Sequence, residues 1–379
     1  LNSQTFIYDY ITELERQGGD NHVATFHREN EEARPFSKVK IVEEPGRWNP
    51  RRLWHRARAF VQGESAQHSH WLQSRERLEG IIQEVRPDVI HAHFGPEGVF
   101  AAPVARRLGI PLIVTFYGYD VSSLPHDEFW RAKYDDLWEQ VSGVTVLSEE
   151  MKTAVEELGS PASKTRVVHL SRDLDDFRYS PPGQEIETVV FVGRLVPKKA
   201  PIDAIRALSL ANERGADLSL DMVGDGGLET EVEEYVHQND LSGCITLHGR
   251  VASDEVGNIM QEADAFLLPS KTAPNGDREG TPTVLIEAQA SGLPCVSTRH
   301  SGIPEMIPPT NRDLLSAEGD LEGLAESLTQ LASMTREEVE ARAESSRRWV
   351  KEEFNLRREA EKLREVYDGC NQGDGSRAR

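Results

Sequence analysis

Two glutamates, Glu279 and Glu287, flank a Gly-Thr-Pro-Thr turn in the stretch DREGTPTVLIEAQASGLPCVST, residues 277–298. Thr281 can cap a helix whose first position is Pro282, because proline has no N–H to lose there. The backbone N–H groups of Thr283 and Val284 then point out of the positive end of the helix dipole and make an anion site. Glu279 in the loop can reach toward whatever lies in front of that helix. Glu287, on its first turns, can accept hydrogen bonds from a hydroxylated group. A carboxylate beside an anion site is electrostatically awkward unless something hydroxylated or cationic lies between them, so the pattern points to a ligand carrying both phosphates and sugars. On spacing alone, a solvated loop acid and a dipole-favoured helix acid are the simpler account.

A second cluster lies upstream. In VFVGRL, Gly193 sits at a strand end with Arg194 next to it, and Lys199 follows just before Pro201 opens a helix. A missing side chain lets a phosphate approach the backbone, and two cations can neutralise it. A tight turn with solvated charges explains the same residues equally well. MVGDGGLE repeats the glycine theme at Gly224 and Gly226. It lacks a full G-x-G-x-x-G and the acid about 20 residues on, so a nicotinamide cofactor is poorly supported. His91 and His93 lie on one predicted strand; only one of them is expected to face a cleft, which favours a packed histidine over a ligand pair. The lone D-x-D, Asp173 to Asp175, is read as loop and not as a metal site.

The elements that must hold these residues alternate in kind. PDVIHAHF (87–94), IPLIVTFYG (110–118) and GVTVL (143–147) read as buried strands separated by helices, with Ser148 as an N-cap. SPPGQEIE (180–187) interrupts the rhythm and reads as a linker. The alternation then restarts with TVVFVGRL, LSLDMVGDG, ITLHGRV, ADAFLLPS and LPCVST, each followed by a helical pattern. Strand–helix–strand repeats imply two parallel, doubly wound sheets with ligands at the carboxyl ends of the strands. The boundaries read as 1–180, 181–352, and a last helix from 353 that crosses back to the first domain, with the final dozen residues frayed.

Composition narrows the class. A chain of 379 residues suits two domains, and its apolar runs fall short of the ~18–20 residues that span a bilayer. No charged-then-apolar leader opens the sequence, which favours a cytoplasmic location. Cys244, Cys295 and Cys370 are scattered without metal-binding or disulfide spacing. The net charge of −21 argues against nonspecific nucleic-acid binding. With 33 Arg against 10 Lys, it also fits a salt-adapted surface. Against that background GRWNPRRLWHRARAF (46–60) carries five Arg, two Trp and no acid. Arg47, Trp48, Arg51, Arg52 and Trp54 could dock peripherally on an anionic membrane face or a lipid-linked acceptor, with a solvated helix packing its tryptophans as the alternative.

Taken together and in order, VGRLVPKKAPIDAIRAL, MVGDGGLE, ADAFLLPS and EGTPTVLIEAQASGLPCVSTRHSGIPEMI closely resemble glycosyltransferase family 4, including its E-x7-E element at Glu279 and Glu287. DVIHAHFG, PLIVTFYGYDVS and VLSEEM resemble the acceptor domain of its polysaccharide and lipopolysaccharide branch, near the colanic-acid-type enzymes. The resemblance implies an α/β, GT-B fold: two Rossmann-like doubly wound domains facing a cleft. It implies retaining, metal-independent transfer of a sugar from a nucleotide-diphosphate donor, of UDP or GDP type, to a saccharide or lipid-linked acceptor. No cofactor is implied beyond that co-substrate.

By motif position, Arg194 and Lys199 would bind the diphosphate, Glu279 the donor sugar and Glu287 the ribose. Gly193, Gly224 and the backbone of Gly280, Thr281, Pro282, Thr283 and Val284 would cradle the phosphates, and Arg250 and Val251 would lie against the base. His93, Tyr117, Gly118 and Asp120 would face the sugar and acceptor. Two departures stand out. Tyr117 replaces a histidine common in relatives, and the strand that opens relatives' first domain is missing, which suggests a trimmed start or a sheet without its central strand. A catalytically silent sugar-nucleotide-binding protein is the alternative from another class. A phosphorylase is the alternative enzyme, although no pyridoxal-binding lysine signature is visible.

Overall fold

The computed structural model describes residues 5–29, 31–32, 34–43, 71–182 and 185–372. The basic-aromatic segment, with Arg47, Trp48, Arg51, Arg52 and Trp54, lies outside the described residues. No helix among the described residues is long and apolar enough to cross a membrane.

The first lobe opens with an amphipathic helix, Thr5–Arg16, and two short parallel strands, β1 (Val23–Thr25) and β2 (Val39–Ile41). Four further strands form a separate parallel sheet in chain order: β3 (Ile90–His93), β4 (Leu112–Thr115), β5 (Gly143–Val146) and β6 (Thr165–Val167). β4 and β5 are buried along their whole length, as strands covered by helices on both faces must be. The helices follow their sequence signals. Gly95–Leu108 stops at Gly109 in the left-handed conformation, and the Ser148 side chain accepts the Met151 N–H to start Glu149–Glu157.

In the second lobe, β7 (Thr188–Val192), β8 (Ser219–Val223), β9 (Ile245–Gly249), β10 (Ala265–Leu268), β11 (Cys295–Thr298) and β12 (Leu315–Ser316) make one parallel sheet. Their order is β12-β11-β10-β7-β8-β9. The chain runs from β7 to one edge, returns to β10 beside β7, and continues to the other edge. That doubly wound order places a crevice at the carboxyl ends of β7 and β10, where the winding reverses.

The charged tail divides into three helices, Leu321–Ala332, Arg336–Glu353 and Leu356–Gln372. A Thr335–Glu338 capping box makes the first break. The last helix reaches Gln372, so residues 368–372, expected to be frayed, are helical, because the helix's apolar face has a partner; the rest of that expectation lies outside the described residues. Leu356, Ala360 and Leu363 join the core of the first lobe, and the Glu359 carboxylate accepts the His169 N–H at 2.8 Å.

Candidate active site

Two loops meet at the β7–β10 crevice. The turn after β7 carries Lys198 and Lys199; the loop after β10 carries Asp277, Arg278 and Glu279. Lys198 Nζ lies 3.0 Å from Asp277 Oδ1 and donates to the Arg278 carbonyl at 3.2 Å, fastening one loop to the other. Lys199 Nζ then stands 3.1 Å from Glu279 Oε1, with both side chains nearly buried. Burial alone would raise the Glu279 carboxyl, but Lys199 and Lys198 hold it below the usual glutamate value. Arg194 is exposed and has no ion-pair partner among the described residues.

The backbone of Glu279 is held from behind. Its N–H donates to His300 Nε2 at 3.1 Å, while His300 Nδ1 meets Glu318 Oε1 at 2.6 Å. An Nε2 that accepts a hydrogen bond carries no proton, so the Nδ1–H points at Glu318. Ser301 Oγ donates to the Glu279 carbonyl at 2.8 Å. Lys198, His300 and Glu318 had no sequence signal as site residues, because each acts through the loop and not on a ligand.

The helix after this loop starts one residue later than expected. Pro282 is the N-cap and Thr283 the first helical residue of Thr283–Ser291. Thr281 therefore caps nothing. Its Oγ1 is buried without a hydrogen-bond partner, and no side chain caps the helix start. The N–H groups of Thr283 and Val284 still lie in the first turn of the helix, where no side chain caps them.

Glu287, a turn further on, is mostly buried, at 15% side-chain exposure, and takes a hydrogen bond from Arg172 of the first lobe. Burial raises its carboxyl above the usual value, with Arg172 opposing.

Glycine is demanded where backbones touch. A Cβ on Gly280 would stand 2.2 Å from the Tyr117 carbonyl oxygen of the facing lobe, and one on Gly118, at φ +144°, would stand 2.9 Å from the Gly280 nitrogen. A Cβ on Gly224 would lie 1.9 Å from the Gly193 carbonyl oxygen, so packing between the β7 and β8 loops accounts for Gly224 and phosphate approach is not required. Gly193 lies beside the Lys199 stem. Arg250 is exposed at the end of edge strand β9, and Val251 packs against the second-lobe core.

The first-lobe candidates are more inward than expected. Asp120 is fully buried: Oδ1 accepts from the Tyr117 and Gly118 N–H groups at 2.9 Å each, and Oδ2 from Gly95 at 3.0 Å. It shapes the loop by gathering these three N–H groups. Tyr117 stacks on Phe94 and Phe6, with ring centroids 4.4 and 5.0 Å apart, and its hydroxyl meets His93 Nδ1 at 2.5 Å.

The two strand histidines share one face, contrary to the alternation expected, because residues two apart on a strand point the same way. Their ring centroids are 4.3 Å apart. His91 bonds to Thr115 and Tyr367, and burial lowers His93 to about 4, so both are neutral packing groups.

Contacts across the cleft complete the geometry. The Glu305 carboxylate accepts the Glu149 N–H at 3.0 and 3.1 Å and the Glu150 N–H at 3.3 Å, capping a helix of the opposite lobe. Arg278 pairs with Glu150 at 2.8 Å. Asp173 and Asp175 lie in a short turn where Asp173 accepts the Asp175 N–H. No cluster of three metal-ligating side chains occurs among the described residues.

Two parallel, helix-covered lobes that close on the switch point of the second are the architecture of the GT-B glycosyltransferases. Sequence comparison gives the family. Residues 175–351 match the glycosyl transferases group 1 family and residues 3–171 the glycosyl transferase 4-like domain, and the chain belongs to this family of glycosyltransferases. It is 32% identical over 281 residues to a putative colanic acid biosynthesis glycosyltransferase, WcaL, of Escherichia coli, covering 73% of this chain and 69% of that protein. It is also 32% identical over 286 residues to the amylovoran biosynthesis glycosyltransferase AmsK of Erwinia amylovora, covering 74% and 70%.

Among solved structures, Anabaena Alr3699/HepE in complex with UDP shares the fold at a TM-score of 0.76 and 18% identity, over 97% of this chain and 96% of that one. The lipopolysaccharide outer core galactosyltransferase WaaB shares it at 0.69 and 17% identity, over 100% and 96%.

Proposed function

We propose that the chain is a retaining glycosyltransferase of surface-polysaccharide assembly that transfers a sugar from a UDP- or GDP-type donor to a saccharide or lipid-linked acceptor. The observation that carries this reading is the Lys199–Glu279 pair at the β7–β10 crevice, with the exposed Arg194 in the same turn as Lys199 and the uncapped start of Thr283–Ser291 in the loop that carries Glu279. The relatives named for colanic acid and amylovoran biosynthesis support the pathway class, and the complex of HepE with UDP supports the donor class.

The chemistry follows from charge. As the bond from the anomeric carbon to the diphosphate breaks, negative charge grows on the leaving oxygens. Arg194, Lys199 and the Thr283 and Val284 N–H groups stabilise that charge, lowering the barrier. The acceptor oxygen bonds to the same face of the sugar, and its proton leaves with the departing diphosphate. Glu279 orients the donor sugar and Glu287 accepts from the ribose hydroxyls. In this reading residues 181–352 hold the donor, residues 1–180 with the last helix face the acceptor, and the 46–60 segment docks the enzyme on an anionic membrane face.

A thermal-shift screen of UDP, GDP and ADP sugars, followed by transfer and donor-hydrolysis assays, tests the reading. Glu279→Ala is expected to lower kcat ~100-fold or more while the donor still binds, the scale seen when one transition-state contact is removed. Donor binding without turnover, unchanged by Glu279→Ala, would instead establish a silent binding protein.

A further inference from the structure

The Arg172 guanidinium lies between two carboxylates from different lobes. Its Nε is 3.0 Å from Asp9 Oδ2 on the first helix, and its NH1 donates to Glu287 Oε1 on the Thr283–Ser291 helix. The three side chains are only 15–16% exposed. Phe177 lies beneath the guanidinium, 5.6 Å from ring centroid to Cζ, and Arg172 bridges the backbone of Asn355 where the last helix crosses over. The guanidinium is therefore flanked by a carboxylate from each lobe, with NH1 directed at one oxygen of Glu287.

We propose that Arg172, braced by Asp9, is a positioning residue that fixes Glu287 as an ionised acceptor for the vicinal ribose hydroxyls of the donor, and so sets the preference for a ribonucleotide. The inference rests on the ribose role of Glu287 proposed above. One oxygen of Glu287 is tied to Arg172, which locks the rotamer, and the Thr283 hydroxyl hydrogen-bonds the same carboxylate, whose remaining lone pairs are left to accept from a ligand hydroxyl. A carboxyl that picked up a proton would present a donor in place of an acceptor. The groups that act on Glu287 are Arg172, Asp9, Lys199 and Thr283, and Asp9 in turn feels Arg34 and Asp176. Burial and Asp9 both push Glu287 toward its protonated form, and Arg172 is the largest opposing influence. Lysine cannot substitute fully, because a single ammonium lacks the fork that reaches two carboxylates.

The test uses the full chain, with UDP or GDP, whichever binds more tightly, and its 2′,3′-dideoxy analogue. The wild type is expected to prefer the ribonucleotide by about tenfold or more, since a site built to bind hydroxyls is left unpaired without them. Arg172→Met should bring that preference to within about threefold and raise donor KM with kcat little changed. In this variant, ribonucleotide affinity should recover as pH rises and Glu287 ionises; the wild type should show no such recovery. Arg172→Lys should restore part of the preference.

If the wild type discriminates and Arg172→Met discriminates equally at every pH, Arg172 has no such role and the proposal falls while the ribose reading stands. If the wild type does not discriminate at all, the ribose contact fails and takes the proposal with it. Should Arg172→Met not fold, Asp9→Asn decides the matter by the same ratio, an unchanged preference overturning the brace.

Discussion

His93, like its neighbour His91, is a partly buried histidine whose protonation is coupled to the fold. Burial lowers its folded value from the ordinary 6.5 to about 4. Between those values the unfolded chain binds a proton that the native chain refuses, so unfolding takes up protons and stability rises with pH across that window. The shift corresponds to at most about 3 kcal/mol, at ~1.4 kcal/mol per pH unit. His93→Asn should reduce the slope without abolishing it, since His91, also lowered by burial, acts in the same direction, as measured by denaturant unfolding at several pH values within the window; an unchanged slope would assign the whole dependence to His91 or another group. From the sequence, His91 and His93 read as packed histidines, as found, but were expected on opposite faces. Strand periodicity puts residues two apart on one face, and it gives no sign that Tyr117 would turn its hydroxyl inward to meet the ring. Asp120 was misread for the same reason: a short acid after a glycine looks alike whether it faces a cleft or gathers three backbone N–H groups.

At the scale of elements, the eight long apolar strands were readable, because continuous apolar runs ending in Gly or Pro leave few alternatives for a parallel sheet; the short strands β1, β2, β6 and β12, of two or three residues each, carry too little pattern and were not named. The helix beginning at Thr283 was placed one residue early, since Thr and Pro are both good starters and only the backbone angles decide between them. What sequence could not show was how one element uses another. The Glu305 carboxylate caps Glu149–Glu157 from the opposite lobe, joining residues 156 positions apart. An anionic cap at a helix start is worth ~0.5–1 kcal/mol, and the partly exposed Arg278–Glu150 pair beside it ~1 kcal/mol at most. Glu305→Ala should therefore populate an open form. Small-angle scattering would show a larger radius of gyration, and kcat would fall with the melting of the second lobe unaltered. An unaltered radius would mean that the Gly118–Gly280 contact holds the lobes unaided.

For the whole molecule, both lobes and their cleft followed from alternating patterns, whereas the ion pairs that tie Glu279 and Glu287 to specific cations did not. Lys199 had been assigned to phosphate and Arg172 to nothing; their pairing with the two glutamates depends on loops brought together by the sheet order and by closure. The last helix has a further consequence, which concerns synthesis. Leu356, Ala360 and Leu363 complete the hydrophobic core of the first lobe, while the strands of the second lobe form an uninterrupted run from Thr188 to Ser316. Domains usually fold in the order in which the ribosome delivers them. Here the lobe that is made first must wait for the end of the chain, and the later one can finish before it. Nascent chains stalled just short of residue 356 should resist protease across the second lobe and remain cleavable across the first. Release of the final helix should then protect both.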